Sequence, residues 1–176
     1  MTVLHTPSVT LRPWRTTDAD ALIQHANDRR ISKNLRDRFP HPYGRAEAEA
    51  WLAFATSQAA PLRYLALTLN DEAIGSVGLD AFDDVHRHTA ELGYWIGAAH
   101  WGRGYATDAA IAMTAYGFAE LGLERIQAGV YDWNPGSERV LVKAGFQLEG
   151  RMRRHAFKDG VFGDMLMYAT VRVPRE

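Results

Sequence analysis

Short apolar runs alternate along this chain with stretches whose apolar positions recur at helical spacing, and clusters of glycine, proline and small polar residues separate them. Residues 8–12 read as a strand. TTDADALIQHAN follows as a helix that Thr16 or Thr17 can cap, since a threonine oxygen accepts from an unpartnered N–H of the first turn. FPHPYGR, residues 39–45, is a proline-punctuated loop, and AEAEAWLAFATSQ returns to helical spacing. RYLALTL and AIGSVGL are strands joined by the turn Asn70-Asp71-Glu72. Beyond the polar loop DDVHRH lies the strand TAELGYWIG, whose alternation sets Glu91, Gly93 and Trp95 on one face. A glycine-bearing segment then feeds an alanine-rich helix running to about Phe118, followed by the strand ERIQAGV. Asn134 is the N-cap of a short helix ending near Ala144, with Pro135 at its first position and Gly145 at a left-handed C-cap. FQLEGRMR and GDMLMYATV close the chain as an antiparallel pair. Helices interleaved with strands and hairpins predict an α/β or α+β class built on one mixed sheet.

Composition narrows the partners. With 176 residues the chain suits one domain burying roughly 70% of its unfolded surface. Lys and Arg total 20 against 21 Asp and Glu, so no basic field points to nucleic acid or an anionic membrane. The absence of cysteine excludes disulfides, thiolate metal sites and a cysteine nucleophile. MTVLHTPSVTLRPW lacks a signal-peptide layout, and no apolar run approaches the ~18 residues of a membrane span, so a soluble cytoplasmic protein is expected. His86 and His88 alternate, but two histidines without a third ligand make no metal site.

The chemistry concentrates in residues 101–107, Trp-Gly-Arg-Gly-Tyr-Ala-Thr, where the chain enters a helix. The first N–H groups of a helix lack internal partners, and the dipole leaves about half a positive charge there. Gly102 and Gly104 remove side chains, admit φ > 0 and let an anion approach. A tight turn that binds nothing has the same composition. Thr107 stands where a dinucleotide fingerprint needs glycine or alanine, and no Gly-Lys-Ser/Thr completes a P-loop. A phosphate cradle of another kind is left.

This segment resembles motif A of the GNAT acyltransferases, Gln/Arg-x-x-Gly-x-Gly/Ala at a helix start, with Trp101, Gly104 and Ala106 in the three slots. Tryptophan in the first slot is usual in the branch resembling the RimJ/RimL ribosomal-protein acetyltransferases. FPHPYGRAEAEAWL, ELGYWIGAAHWGRGYATDA and NPGSERVLVKAGFQLEGRMR match that branch too, so the resemblance covers about residues 10–171. It implies a single GNAT-type domain over residues 1–176, with a central mixed, splayed sheet flanked by helices. It implies acetyl-CoA as co-substrate, its pyrophosphate held by backbone amides of Trp101, Gly102, Arg103, Gly104, Tyr105, Ala106 and Thr107. Trp95 and Ile96 would offer backbone groups to the pantetheine, as would Asn134 or Ser137. A charge-assisted bond is worth about 1.5–3 kcal/mol, so a few amides suffice without a basic surface. Arg103, Arg139 and Lys143 are either added positive charge or ordinary solvated residues.

Acetyl transfer needs a neutral amine and a proton for the departing thiolate. An α-amine with pKa near 8 costs about 1 kcal/mol to neutralise at pH 7, a lysine amine about 4.6. Glu91, the one acid in an apolar strand, is the candidate base, for an apolar setting makes a carboxylate more basic; pairing with an arginine such as Arg87 is the alternative. Many GNAT enzymes place a tyrosine where Leu141 stands here. The RimL-like branch has a serine at the head of that helix, matched by Ser137, which is the candidate donor; Tyr105, Tyr116 and Tyr131 are rivals. The loops at residues 39–43 and 83–88 and the strands near Arg153 and Asp164 are candidate walls for the acceptor, with Asp83 and Asp84 to attract an amine. The expected enzyme moves acetyl directly from acetyl-CoA to a primary amine, with no covalent intermediate. Its expected acceptor is a protein N-terminal α-amine, ahead of an amino acid, polyamine or aminoglycoside. A non-catalytic acyl-CoA sensor is the other class. A monomer or homodimer is expected, without metal, nucleic acid or membrane.

Overall fold

The strands are β1 (Leu4–His5), β2 (Thr10–Arg12), β3 (Tyr64–Leu69), β4 (Glu72–Ala81), β5 (Thr89–Ile96), β6 (Arg125–Tyr131), β7 (Gln147–Lys158) and β8 (Val161–Val171). The helices are α1 (Ala19–Ala26), α2 (Arg29–Ser32), α3 (Arg45–Thr56), α4 (Tyr105–Glu120) and α5 (Pro135–Lys143). These come from a computed structural model that describes residues 2–173. One eight-stranded sheet holds all the strands in the order β1-β2-β3-β4-β5-β6-β8-β7. At the β3–β4 turn Asn70 and Asp71 both take positive φ, 50° and 69°, the two-residue geometry that matches strand twist.

Alternation along the central strands sorts two cores. Leu65, Leu67, Val77, Leu79 and Leu92 join the cluster containing Ala109, Ala110 and Met113 of α4 and Leu141 of α5. Ala66 and Ala73 join Trp14, Leu22 and Leu52 on the side of α1 and α3. Gly117 lets α4 lie close on the sheet: a Cβ there would stand 2.8 Å from Leu79 and 2.9 Å from Ile126.

One pairing breaks the sheet open. Neighbouring strands are antiparallel except β5 and β6, which run parallel and pair only at Thr89↔Arg125, Ala90↔Ile126 and Glu91↔Gln127. Beyond Glu91, β5 continues along β4 to Ile96 and β6 along β8 to Tyr131. The two strands part there, and their facing backbone edges are left unpaired by each other. This is the expected splay, with Glu91 at its apex.

Three local expectations are corrected. Thr16–Asp18 is a 3-10 turn, and α1 begins at Ala19 without a side-chain cap, so neither Thr16 nor Thr17 caps it. Asp18 shapes the turn instead. Its carboxylate accepts from Arg15 N–H at 2.8 Å and takes the Arg12 guanidinium in two bonds of 2.9 and 2.8 Å, with both side chains buried. The first predicted strand is shorter, because Ser8 turns away to hydrogen-bond Asp108 of α4. β7 runs on to Lys158, past the predicted end at Arg153, and most of its length is exposed. No helix among the described residues is long and apolar enough to cross a membrane.

Candidate active site

The turn before α4 is tied to the end of β5. Gly97 N–H donates to the Ile74 carbonyl at 2.8 Å, and the Trp101 indole Nε1–H donates to the Ile96 carbonyl at 2.9 Å. Trp101 thus acts through its side chain as a strap on the turn, and its ring also lies 5.9 Å from the Arg30 guanidinium. Gly102 and Gly104 have φ of +76° and +83°, and no heavy atom lies within 4 Å of where either Cβ would be. The first bond of the helix is Asp108 N–H to the Gly104 carbonyl at 3.0 Å. The N–H groups of Tyr105, Ala106 and Thr107 precede it, and among the described residues no side chain caps this end. An open, glycine-lined helix N-terminus has the geometry and dipole that suit an anion. Under the turn, burial first and then the nearby His25 and Arg103 hold the His100 imidazole below its ordinary pKa.

A cleft of about 1040 Å³ runs from this turn through the splay. Every sequence-predicted site residue lines it: Glu91, Trp95, Ile96, the whole run 101–107, Asn134 and Ser137. Arg103, Arg139 and Lys143 line it as well. The loop at residues 39–43 is a wall through Phe39, Pro40 and Tyr43, whereas none of residues 83–88 reaches the cleft. Asp83 and Asp84 therefore lie outside it, and Asp80 is the aspartate that lines it. His88 bonds the Gly122 carbonyl at 2.9 Å, which accounts for its place.

Asn134 caps α5, its Oδ1 accepting from Ser137 N–H at 3.3 Å. Asn134→Ala is expected to lower stability by about 1 kcal/mol, measured by urea unfolding. With the cap supplied by Asn134, the Ser137 hydroxyl is released for another contact: its Oγ lies 2.7 Å from Tyr94 Oη, which also lies 3.2 Å from the Ser137 carbonyl. Burial pushes the Tyr94 phenol up to about 12, so it stays protonated at neutral pH. Its single proton goes either to the Ser137 carbonyl or to Ser137 Oγ, and in the second arrangement the serine proton is free to point elsewhere. Sequence reasoning did not single out Tyr94. The signal available was alternation in TAELGYWIG, which sets Tyr94 on the face opposite Glu91 and Trp95. Among the rival hydroxyls, Tyr105 and Tyr131 line the cleft, while Tyr116 is buried in the α4 core.

Glu91 is paired with an arginine, but with Arg36 of the segment after α2; Arg87 instead donates to the Asp84 carbonyl at 3.0 Å. Its side chain is 25% exposed. Directly across on β4 stands Asp80, which accepts from Tyr64 Oη and pairs with Arg38 at 3.3 Å. Burial, then the Asp80 hydrogen bond, pushes the Tyr64 phenol up to about 12.

An open helix N-terminus leading into a parted parallel strand pair is the arrangement that the GNAT resemblance implies. Comparison with known proteins agrees. The acetyltransferase (GNAT) domain family matches residues 8–147. The uncharacterized N-acetyltransferase p20 of Bacillus licheniformis is 30% identical over 98% of this chain and 97% of its own. The uncharacterized N-acetyltransferase YoaA of Bacillus subtilis is 42% identical over 60% of this chain, which spans 58% of YoaA's length. The ribosomal-protein-serine acetyltransferase of Escherichia coli is 31% identical over 57% of this chain and 56% of its own. Mycobacterium smegmatis RimJ in complex with CoA-disulfide superposes with a TM-score of 0.78 at 26% identity, over 97% of this chain and 86% of that one. The chain belongs to the GNAT acetyltransferases, a family of acetyl-CoA-dependent N-acetyltransferases.

Proposed function

We propose that this protein, a cytoplasmic enzyme, transfers the acetyl group of acetyl-CoA directly to the N-terminal α-amine of a protein. The observation that carries the reading is the convergence on Glu91. The uncapped start of α4 and the parted edges of β5 and β6 lead along one cleft to the last position at which β5 pairs with β6. Acetyl-CoA fits this cradle, since both glycines leave open space where side chains would stand. The backbone N–H groups of residues 105–107 hold the diphosphate, and the unpaired edge of β5 holds the pantetheine, setting the thioester near Glu91. The resemblance to a ribosomal-protein-serine acetyltransferase supports a protein acceptor.

Glu91 accepts a proton from the ammonium, directly or through water. The neutral nitrogen attacks the thioester carbon and the C–S bond breaks; the thiolate takes a proton from Ser137, which is positioned by Tyr94, and the serine recovers one through water from the nitrogen, which sheds its second proton as the amide forms. An α-amine asks little of such a base, about 1 kcal/mol at pH 7, so a half-buried carboxylate matched to a modest task suffices. Holding both reactants in one cleft supplies much of the acceleration. CoA release measured across N-terminal peptides, amino acids, polyamines and aminoglycosides tests the reading; turnover confined to the small amines contradicts the protein acceptor, and CoA binding without any turnover identifies a sensor.

Tyr94→Phe removes the bond that orients the serine. It is expected to lower kcat about tenfold, less than the hundredfold or more of losing an acid or base outright because the serine itself is kept, with KM for acetyl-CoA unchanged. In a Ser137→Ala background the same change has little further effect, because the tyrosine acts through the serine. Full additivity of the two losses speaks against the relay.

A further inference from the structure

The acceptor side of the cleft carries a pattern that the acetyl-transfer chemistry does not require. Three strands place Tyr64, Gly78 and Gly93 in one cross-strand row. The Tyr64 ring lies on Gly78, where a Cβ would be 2.4 Å from its Cδ1, while nothing lies within 4 Å of a Cβ on Gly93. Gly93 is thus the bare floor of a trough. Trp51 and Phe54 pack against Tyr64 on one side, with ring centroids 5.7 and 5.3 Å from it. Phe39 and Trp95, 5.6 Å apart, form the other side. Phe54 is 45% exposed although its neighbours are apolar, which leaves an aromatic surface uncovered beside the trough.

The adjoining row is acidic. Asp80 and Glu91 stand directly opposite each other on antiparallel strands, where like charges repel. Two arginines of one segment offset them, Arg38 on Asp80 and Arg36 on Glu91. Those arginine side chains are 71% and 48% exposed, and ion pairs so placed are weak. The carboxylate pair therefore asks for a cation that the chain supplies only loosely. A second cavity of about 390 Å³ shares Arg36 and Glu91 with the main cleft and continues towards Met152 and His155 of β7, an exit for whatever is attached beyond the amine.

Resting on the acetyltransferase reading above, we infer that the acceptor is an α-amine whose neighbouring side chain is large and aromatic or apolar. Its ammonium takes the place of Arg36 at Glu91 and of Arg38 at Asp80, and its side chain lies on Gly93 between the two aromatic walls. The trough sets specificity; Gly93 and Phe54 take no part in proton transfer.

The test uses the full-length protein with acetyl-CoA and three probes, phenylalaninamide, leucinamide and alaninamide, which share an amine and differ in side chain. The expected kcat/KM for phenylalaninamide exceeds that for alaninamide by about thirtyfold, the effect of burying a large side chain against a methyl group, with leucinamide between. Gly93→Val puts a side chain on the open floor, where its Cβ has no protein neighbour within 4 Å, and Phe54→Ala thins one wall from the surface of α3. Each is expected to bring the ratio of the two values to within about threefold of unity. A wild-type ratio near one, or a ratio unchanged in both variants, overturns the inference while leaving acetyl transfer standing. If none of the three amides turns over, calorimetric binding of each to the CoA-loaded protein decides it. Preferential binding of phenylalaninamide upholds the trough even as the catalytic reading fails, and equal binding of all three removes it.

Discussion

Replacing Gly104 by valine is expected to weaken CoA binding on the order of a hundredfold, about 2.7 kcal/mol, the worth of one charge-assisted bond. Gly104 sits at φ +83°, in a region that a β-branched residue occupies only at a genuine steric cost. No protein atom lies within 4 Å of the added Cβ, so the damage falls on the backbone torsion and on the space kept for the anion. If the turn relaxes towards negative φ, the N–H groups of residues 105–107 no longer converge. Global stability should fall by only a few kcal/mol at most, because the position is exposed and uncrowded. Isothermal titration with CoA reads the loss, and circular dichroism checks that α4 survives. A CoA affinity within threefold of the parent protein rules out the cradle as the phosphate site.

Glu91→Gln is expected to reduce kcat/KM by about a thousandfold at pH 7 with CoA binding unaltered, in the middle of the range for a lost general base. Glutamine keeps the shape but neither takes a proton nor balances Arg36. The pH dependence separates this role from a structural one. The base is needed only while the amine carries its proton, so the gap between variant and parent narrows as pH rises through the amine pKa near 8. A merely structural loss gives a gap that does not change with pH. Stopped-flow CoA release with an N-terminal peptide from pH 6 to pH 9 makes the comparison. A variant retaining more than a third of the parent's kcat/KM at pH 7 moves the base elsewhere in the cleft.

The parts of the site legible in the chain are those made by neighbours in sequence. Gly102 and Gly104 announce positive φ because glycine alone adopts it freely, and both have it. Asn134, Pro135 and Gly145 punctuate α5 as read, since caps act within one turn. Alternation in TAELGYWIG put Glu91, Gly93 and Trp95 on one face, and all three line the cleft. Local rules misled where a distant group intervened: the carboxylate of Asp18 is committed to buried Arg12, so the capping logic for Thr16 and Thr17 did not apply. β7 was cut short at Arg153 because, with most of the strand exposed, it has little hydrophobic period to read.

By itself, then, the order of residues determined the class of fold, the position of the anion turn and the cast of side chains around the cleft, because periodicity, glycine torsion and capping are short-range effects. Only the tertiary structure decided that β5 and β6 part after Glu91, that Tyr94 finds Ser137 43 residues away, and that Arg36 rather than Arg87 pairs with Glu91. Those contacts depend on strand register and on charges brought together from separate elements, which no window along the chain contains.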